Sequence, residues 1–301
     1  MRVLITGWPS FLNGEATAGD VLAMEAVRDA LEGVGVPCDL AWSPVFRPSG
    51  PSLAETDPAR YTHLVFACGP VSGEQVQRLH ERYAHCRRIA VGVSVIDPED
   101  PAVLGFHEVL ARDGGGEEPR LDLAAELSVP DVPVVGVALA PGQPEYGGRR
   151  RHDRVEEELT AWLNARDCAR VPLDTRLDLY GWRNASTPAQ AEALIRRLDL
   201  VVTTRLHGMV LALKNGVPAL AIDPVEGGAK VGAQARAWGW PALVTVRSGE
   251  PVLDVDELER QWDWCLAGRA AAAAWDLRPV STPLLTEDLL DVLELREDEA
   301  G

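Results

Sequence analysis

The chain has 301 residues, 46% of them hydrophobic and 25% charged, which is the composition of an ordinary globular protein with enough length for two domains. Its formal net charge of −17 excludes an extended basic surface, so we expect neither nucleic acid nor an anionic membrane as a partner. An anionic small molecule would have to be bound by a local basic pocket, against the field of the whole chain.

The first residues and the cysteines predict a cytoplasmic location. Residues 2–6 read directly as a strand, with no basic and then apolar leader before them. No apolar run approaches the roughly 18 residues that a membrane span needs, so we predict no stable membrane insertion. The five cysteines are scattered without a paired spacing, which fits reduced thiols and gives no sign of a metal site.

The first part of the chain alternates strands with helices. A buried strand at 3–6 leads through a long loop to a helix that we expect Asp20 to cap and that ends near Gly33. Further strands are predicted at 38–42, 63–67, 88–93 and 107–112, with a helix at 73–86. This order is typical of an α/β fold with a doubly wound parallel sheet.

A second α/β series follows a polar, proline-bounded segment at 128–133, the best linker candidate. We therefore predict two Rossmann-like domains, residues 1–132 and residues 133–301. The strands predicted in the second series are 134–139, 200–202, 217–222 and 243–246, and its helices are 153–164, 187–197, 231–238, 254–266 and 286–295. The last helix is in a position to pack back on the N-terminal domain.

The most informative stretch is 198–223. Two buried apolar strands enclose a short helix, which predicts a parallel βαβ unit. Thr203 and Thr204 are the expected caps at the start of this helix, and Gly216 is suited to end it.

Arg205 and His207 lie on the first turn of this helix, at the carboxyl edge of the predicted sheet. Unpaired N–H groups and the helix dipole favour an anion at such a turn, and ligands bind at this edge of α/β sheets. Of the 29 basic residues only Lys214 and Lys230 are lysines. Lys230 is a candidate anion ligand because an ammonium differs chemically from a guanidinium, whereas Lys214 can simply stabilise a helix C-terminus.

Weaker candidates lie in the first domain and in a basic run. Asn13, Gly19 and Asp20 occupy a strand-to-helix loop, where residues bind ligands or form turns and caps. Arg112 ends the strand predicted at 107–112 and, with Asp113, could form a surface ion pair or contact a ligand. The run 149–152 could contact phosphate or be a solvated face. Trp8, Trp182 and Trp240 could stack on sugar rings, although most of the nine tryptophans are expected in the core or in interfaces.

With these residues in place, the chain resembles the polysaccharide pyruvyl transferase family. The resemblance rests on 199–208, with its Arg205-Leu206-His207-Gly208 block, on the strand after Gly216, and on Asp223 and Lys230. The loop 13–20 and Arg112-Asp113 are weaker matches. The resemblance implies two lobes as in GT-B glycosyltransferases, with a cleft between an acceptor-side N-terminal domain and a donor-side C-terminal domain.

The resemblance also implies transfer of pyruvate from phosphoenolpyruvate to sugar hydroxyls as a ketal, with no cofactor beyond this donor. Arg205 and His207 would bind its phosphate and carboxylate, and His207 is the first candidate for proton transfer. Asp20 or Glu15 could act as a base on the acceptor side. The substrate-binding residues that we predict are Arg205, His207, Gly208, Lys230, Thr204, Asn13, Gly19, Arg112 and Glu226.

Two other interpretations remain open. A glycosyltransferase using a nucleotide sugar could hold the diphosphate with Arg205 and Lys230, although Glu226 lacks the second glutamate that many such enzymes place near the ribose. A non-catalytic relative could use the same site to sense an anionic metabolite. The chain also has Cys68-Gly69-Pro70 where the family has a Gly-Gly turn. Neither the acceptor nor the oligomeric state follows from the sequence, and a homo-oligomer is compatible with it.

Overall fold

The structure, a computed structural model, describes residues 1–116, 118–277 and 285–293. The chain divides into two compact units, Met1–Pro130 and Asp131–Gly301. The division falls two residues before the boundary that we predicted.

The described residues of the first unit form five strands and three α-helices, besides short 3-10 turns. The strands are β1 (Val3–Thr6), β2 (Cys38–Leu40), β3 (His63–Ala67), β4 (Arg87–Val95) and β5 (Glu108–Gly114), and the helices are α1 (Ala18–Gly33), α2 (Glu74–Arg82) and α3 (Pro101–Leu104). All strand pairs are parallel, in the order β2-β1-β3-β4-β5. The direction of winding reverses between β1 and β3. The loops that follow these two strands therefore flank the crevice at the carboxyl edge of the sheet, where doubly wound sheets bind ligands.

Side chains of the first sheet are buried on both of its faces. Leu4 and Phe66 belong to one apolar cluster, whereas their neighbours Ile5 and Val65 belong to another. Successive residues of a strand point to opposite faces, so both faces of the sheet are covered. This is why β1 and β3 read as continuous apolar runs.

The second unit repeats this organisation. Its strands are β6 (Val134–Ala138), β7 (Ala169–Pro172), β8 (Leu200–Thr203), β9 (Ala219–Asp223) and β10 (Leu243–Thr245). Its helices are α4 (His152–Asn164), α5 (Pro188–Ile195), α6 (Leu206–Lys214), α7 (Lys230–Ala237), α8 (Val255–Leu266), α9 (Gly268–Asp276) and α10 (Leu285–Val292). The parallel order is β10-β9-β8-β6-β7, which reverses between β6 and β8. The predicted fold class, α/β with two doubly wound parallel sheets, is confirmed.

Some local predictions were wrong. The N-cap of α1 is Thr17 instead of Asp20: the Thr17 hydroxyl accepts a hydrogen bond from the Asp20 N–H (3.1 Å) and donates one to the Asp20 carboxylate (2.7 Å). This reciprocal pair starts the helix at Ala18. Strand β7 was not predicted because it is an edge strand of only four residues, largely exposed, interrupted by Arg170 and ended by a proline.

The last predicted helix is present as α10, but residues 294 and 295, its expected end, lie outside the described residues. Its packing on the first domain stays a prediction. Among the described helices, none is both long enough and apolar enough to span a membrane.

Candidate anion-binding site

The turn between β8 and α6 is fixed by two threonine hydroxyls. Thr203 donates to the carbonyl of Ala138 (2.8 Å) and accepts from the N–H of Arg205 (2.9 Å). Thr204 accepts from the N–H of Ala140 (2.7 Å). The prediction that these threonines cap α6 was wrong, because Arg205 itself is the N-cap residue and its side chain forms no cap. The threonines instead tie the start of the helix to β6, leaving the Arg205 side chain available for other contacts.

The guanidinium of Arg205 is oriented by two contacts. Its Nε donates to the carbonyl of Leu139 (2.8 Å), and its Nη2 lies 3.6 Å from Oδ1 of Asp174. The side chain is only 15% exposed. Within the described part of the chain, no group accepts a hydrogen bond from its Nη1. A guanidinium that is already oriented and has N–H groups available is suited to binding a carboxylate or a phosphate.

A pocket of about 370 Å³ opens beside this guanidinium. Its lining comes from the loops that follow β6, β7, β8 and β9, so it lies at the point where the winding of the second sheet reverses. It is lined by residues 140–145, Thr175, Arg176, Thr204, Arg205, Leu206, His207 and Lys230. The structure thus brings together Thr204, Arg205, His207 and Lys230, four of the predicted site residues.

The lining of this pocket is cationic. Arg176, Arg205 and Lys230 contribute positive charges, against one carboxylate, Glu145. His207, the second residue of α6, is exposed at the mouth. The local basic pocket that the acidic composition demands of an anion-binding protein is therefore present.

Arg176 is the cationic lining residue that sequence reasoning missed. It follows the unpredicted strand β7 and donates from Nη2 to Oδ2 of Asp174 (2.6 Å). Asp174 thus lies between Arg176 and Arg205. Burial opposes the ionisation of Asp174, but hydrogen bonds from Arg176 and the charge of Arg205 outweigh it and lower the pKa of the carboxyl.

Lys230 is positioned by the buried carboxylate of Asp223, at the end of β9. Asp223 is fully buried and accepts hydrogen bonds from the N–H groups of Val225 (3.2 Å), Ala229 (2.6 Å) and Gly232 (2.8 Å). These bonds fold the loop back on the strand and hold the start of α7, whose first residue is Lys230. Asp223 is therefore a positioning residue of this site. Lys214, by contrast, lies outside the pocket and pairs with Glu192 (2.6 Å).

Two residues of the second unit that were predicted to bind substrate do not line the pocket. Gly208 is buried, and a Cβ there would lie 2.3 Å from the Thr203 hydroxyl, so the glycine lets α6 approach β8 closely. Glu226 pairs with Arg151 (2.6 Å) and with the hydroxyl of Ser248. A direct substrate contact by either residue stays a prediction.

The basic run 149–152 is held by carboxylates. Arg150 pairs with Asp153, and Arg151 pairs with Glu226. Both arginines line a separate pocket of about 320 Å³ with Arg154, which also pairs with Glu250. Two of the three arginines of the run are therefore paired with carboxylates.

The candidates of the first unit lie at the carboxyl edge of its sheet. Asn13 is exposed on the loop after β1, and Gly19 and Asp20 lie in the first turn of α1. The buried thiol of Cys68, just after β3, lies 4.0 Å from the Asp122 carboxylate, and the Asp20 carboxylate also acts on it. Burial, with the charges of Asp122 and Asp20, raises the pKa of this thiol to about 11, so it is protonated near neutral pH.

Arg112 belongs to the same cluster. Its guanidinium donates to Asp113 (2.7 Å), to Asp122 and to the hydroxyl of Ser94 (2.7 Å), and its Nη1 lies 3.8 Å from the sulfur of Cys68. The hydrogen bonds to Asp113, foremost, and to Asp122 raise the pKa of Arg112. The structure therefore brings Asp20 and Arg112 together around Cys68, with the arginine already engaged by carboxylates. Within the described ranges, no group of three or more His, Cys, Asp or Glu side chains could hold a metal ion.

Three solved structures illustrate what the whole chain is similar to. A spinosyn rhamnosyltransferase complexed with thymidine diphosphate is 14% identical, with 98% of this chain and 100% of that chain covered and a TM-score of 0.35. The UDP-GlcNAc 2-epimerase of Methanocaldococcus jannaschii, in complex with UDP-GlcNAc and UDP, is 10% identical, with the same coverages and TM-score. The E. coli heptosyltransferase WaaC with ADP is 14% identical, with coverages of 88% and 99% and a TM-score of 0.27. No curated protein sequence matches the chain.

A family comparison matches a part of the second unit. Residues 149–224 match the family described as polysaccharide pyruvyl transferase. The matched segment includes β8, α6 and β9, and therefore Arg205, His207 and Asp223. The resemblance of this chain to the polysaccharide pyruvyl transferase family is thus confirmed, over a segment that contains the turn between β8 and α6.

Proposed function

We propose that this protein is a pyruvyl transferase that moves pyruvate from phosphoenolpyruvate onto the hydroxyls of a saccharide acceptor as a ketal. The observation that carries the proposal is the convergence of Arg205, His207 and Lys230 on one pocket, with the first two inside the segment that matches the family. Arg176 adds a third cationic side chain.

The proposed donor suits the charge of this pocket. Phosphoenolpyruvate carries a phosphate and a carboxylate on adjacent positions of one small molecule, so it needs cationic groups on more than one side. Arg205 and Arg176 enter the pocket from different loops, and Lys230 from a third. We propose that Arg205 and Lys230 hold the phosphate, with His207 and Arg176 toward the carboxylate.

The reaction requires one proton transfer to carbon. The methylene carbon of the enol takes a proton, and the adjacent carbon, now electron-deficient, is attacked by an acceptor hydroxyl that loses its proton. The carbon–oxygen bond to phosphate breaks with its electron pair. A second hydroxyl closes the ketal, and its proton leaves with the phosphate. We assign the transfer to carbon to His207 and stabilisation of the leaving phosphate to Arg205 and Lys230.

A phosphate-release assay with phosphoenolpyruvate and a panel of saccharide acceptors tests the proposal. We expect acceptor-dependent release by the wild type and loss of at least about a hundredfold in His207→Ala, the usual size of a general acid–base contribution. Lys230→Met should raise the KM for phosphoenolpyruvate. Lys214→Met is the matched control, because the only other lysine lies outside the pocket; it should retain wild-type kinetics.

Two outcomes would overturn this assignment. Thermal stabilisation by a nucleotide sugar but not by phosphoenolpyruvate would favour a glycosyltransferase. Stabilisation by phosphoenolpyruvate, with no phosphate release for any acceptor and no effect of His207→Ala, would favour an anion-sensing protein. The proposed base on the acceptor side is Asp20. Its role is tested in the same assay with Asp20→Asn, which should lower the rate of phosphate release.

A further inference from the structure

The loop between β7 and α5, residues 173–187, projects an aromatic tip into solvent. Tyr180 is 99% exposed and Trp182 86%, and Leu179 beside them is 73% exposed. Most tryptophans of the chain had been expected in the core or in interfaces, and Trp240 is indeed buried. Several large apolar side chains exposed together on one loop are typical of an interaction surface.

The tip is ordered by its own hydrogen bonds. The N–H of Asp178 donates to the carbonyl of Ala185 (3.0 Å), which closes the loop. The Asp178 carboxylate accepts from the N–H groups of Tyr180 (2.9 Å) and Gly181 (3.1 Å). The guanidinium of Arg183 lies 5.0 Å from the ring centre of Trp182. The two rings are therefore presented by a preorganised turn, and binding to them costs little ordering.

The base of the same loop lines the anion-binding pocket. Thr175 and Arg176 belong to the lining, and Tyr180 follows Arg176 by four residues. Because a chain extends at most about 3.6 Å per residue, the Cα atoms of Arg176 and Tyr180 are within about 14 Å of each other. A molecule that reached the pocket could touch the aromatic tip at its other end.

The chemistry of the tip favours a neutral sugar chain. The apolar C–H face of a sugar ring packs on an aromatic ring, and its hydroxyls can meet the polar groups beside it, here Asp178 and Arg183. An anionic membrane would also accept tryptophan and tyrosine, but it would repel a chain with a net charge of −17.

We therefore propose that Tyr180 and Trp182 form a saccharide-binding platform. The platform holds some sugar units of the acceptor while another sugar unit of the same acceptor reaches the pocket. This inference rests on the proposed function, since a platform beside a pyruvyl-transfer site would select oligosaccharides over single sugars. It assigns part of acceptor recognition to the second unit, whereas the sequence had predicted it in the first.

A glycan array of neutral oligosaccharides tests the platform without any reaction. The full chain is applied with and without saturating phosphoenolpyruvate, and the captured glycan is then titrated in solution. We expect Tyr180→Ala and Trp182→Ala each to weaken this binding at least about fivefold, and the double variant to weaken it more. Both side chains are exposed, so folding should be unaffected. Leu194→Ala, which removes a half-exposed apolar side chain from α5, is the control and should bind like the wild type.

The platform is overturned if the wild type captures no glycan under either condition, or if both variants bind as the wild type does. It is also overturned if the variants lose affinity for phosphatidylglycerol vesicles and not for glycans. Kinetics separate the two proposals. If the variants are active and their KM for the acceptor is unchanged, the platform is refuted and the transferase is not. If the variants bind glycans more weakly but the wild type releases no phosphate from phosphoenolpyruvate, the transferase is refuted and the platform is not.

Discussion

Oδ1 of Asp174 lies 3.6 Å from Nη2 of Arg205, and the other oxygen of this carboxylate binds Arg176. The aspartate therefore orients two guanidinium groups of the anion-binding pocket. It also opposes the binding of an anion through its own negative charge.

Asp174→Asn separates these two effects. Removal of the charge should tighten the binding of inorganic phosphate by about threefold to tenfold, the size of an interaction near 1 kcal/mol at a partly exposed site. Turnover should fall, because Arg205 and Arg176 lose the group that orients them. Calorimetric titration with phosphate and the phosphate-release assay measure the two effects. An unchanged phosphate affinity would contradict the electrostatic role of Asp174.

Gly208→Ala tests the close approach of α6 to β8. The added Cβ would lie 2.3 Å from Oγ1 and 3.1 Å from Cβ of Thr203, so the helix must shift. We expect a loss of about 1–3 kcal/mol in the free energy of unfolding, as for other overpacked sites. The KM for phosphoenolpyruvate should rise, because Arg205 and His207 lie on the same turn.

Gly33→Ala is the matched control for this change, measured by the same denaturant unfolding. Gly33 ends α1, and a Cβ there would meet nothing within 4 Å. This variant should be as stable as the wild type or slightly more stable, since alanine loses less entropy on folding. Equal stability of the Gly208→Ala and Gly33→Ala variants would refute the packing argument.

Asp223→Ala should both destabilise the second unit and weaken anion binding. It leaves three N–H groups without their carboxylate acceptor, two of them at the start of α7. We expect a loss of about 2–4 kcal/mol. Asp223→Asn retains one acceptor oxygen and should lose less. If phosphate affinity is unchanged in the folded Asp223→Asn variant, Asp223 does not position Lys230.

His152 makes stability sensitive to acid. The side chain is 3% exposed, and neither ring nitrogen has a hydrogen-bond partner among the described residues. Burial, aided by the charges of Arg150 and Lys230, lowers its pKa. The unfolded chain takes up this proton near pH 6.5 and the folded chain at a lower pH. The free energy of unfolding should thus be highest above about pH 6.5 and decline as the pH falls below it.

His152→Leu should flatten this decline, as measured by denaturant unfolding at several pH values. His80 contributes in the same direction, because burial also lowers its pKa. The single variant should therefore remove only a part of the slope, and the His80→Leu, His152→Leu double variant more. A slope that is unaltered in both would show that neither histidine is its source.

The fold was predictable because parallel strands buried on both faces are apolar along their length. Strands β1, β3, β8 and β9 all have this character, with at least four buried residues each. Strand β7 does not, since an edge strand needs no apolar run. The four-residue helix α3 is too short to show a helical period.

The anion site was predictable where it is local in sequence. Arg205 and His207 lie on one helical turn, and Lys230 starts the helix after the next strand. Arg176 was missed because its place in the pocket depends on the pairing of β7 with β6, which no local pattern reveals. Thr203 was misassigned as a cap because its hydroxyl donates to the carbonyl of Ala138 on a neighbouring strand, a tertiary contact that no local pattern reveals. Asp20 was misassigned because Thr17, three residues before it, is an equally good cap residue and takes that role.

Every residue that lines the anion-binding pocket belongs to the second unit. These residues lie on the loops and helix starts at the carboxyl edge of one sheet. In the proposed transferase, the groups that bind the donor would therefore all come from the second sheet. Substitutions around Cys68 and Arg112 in the first unit would leave these donor-binding side chains unaltered.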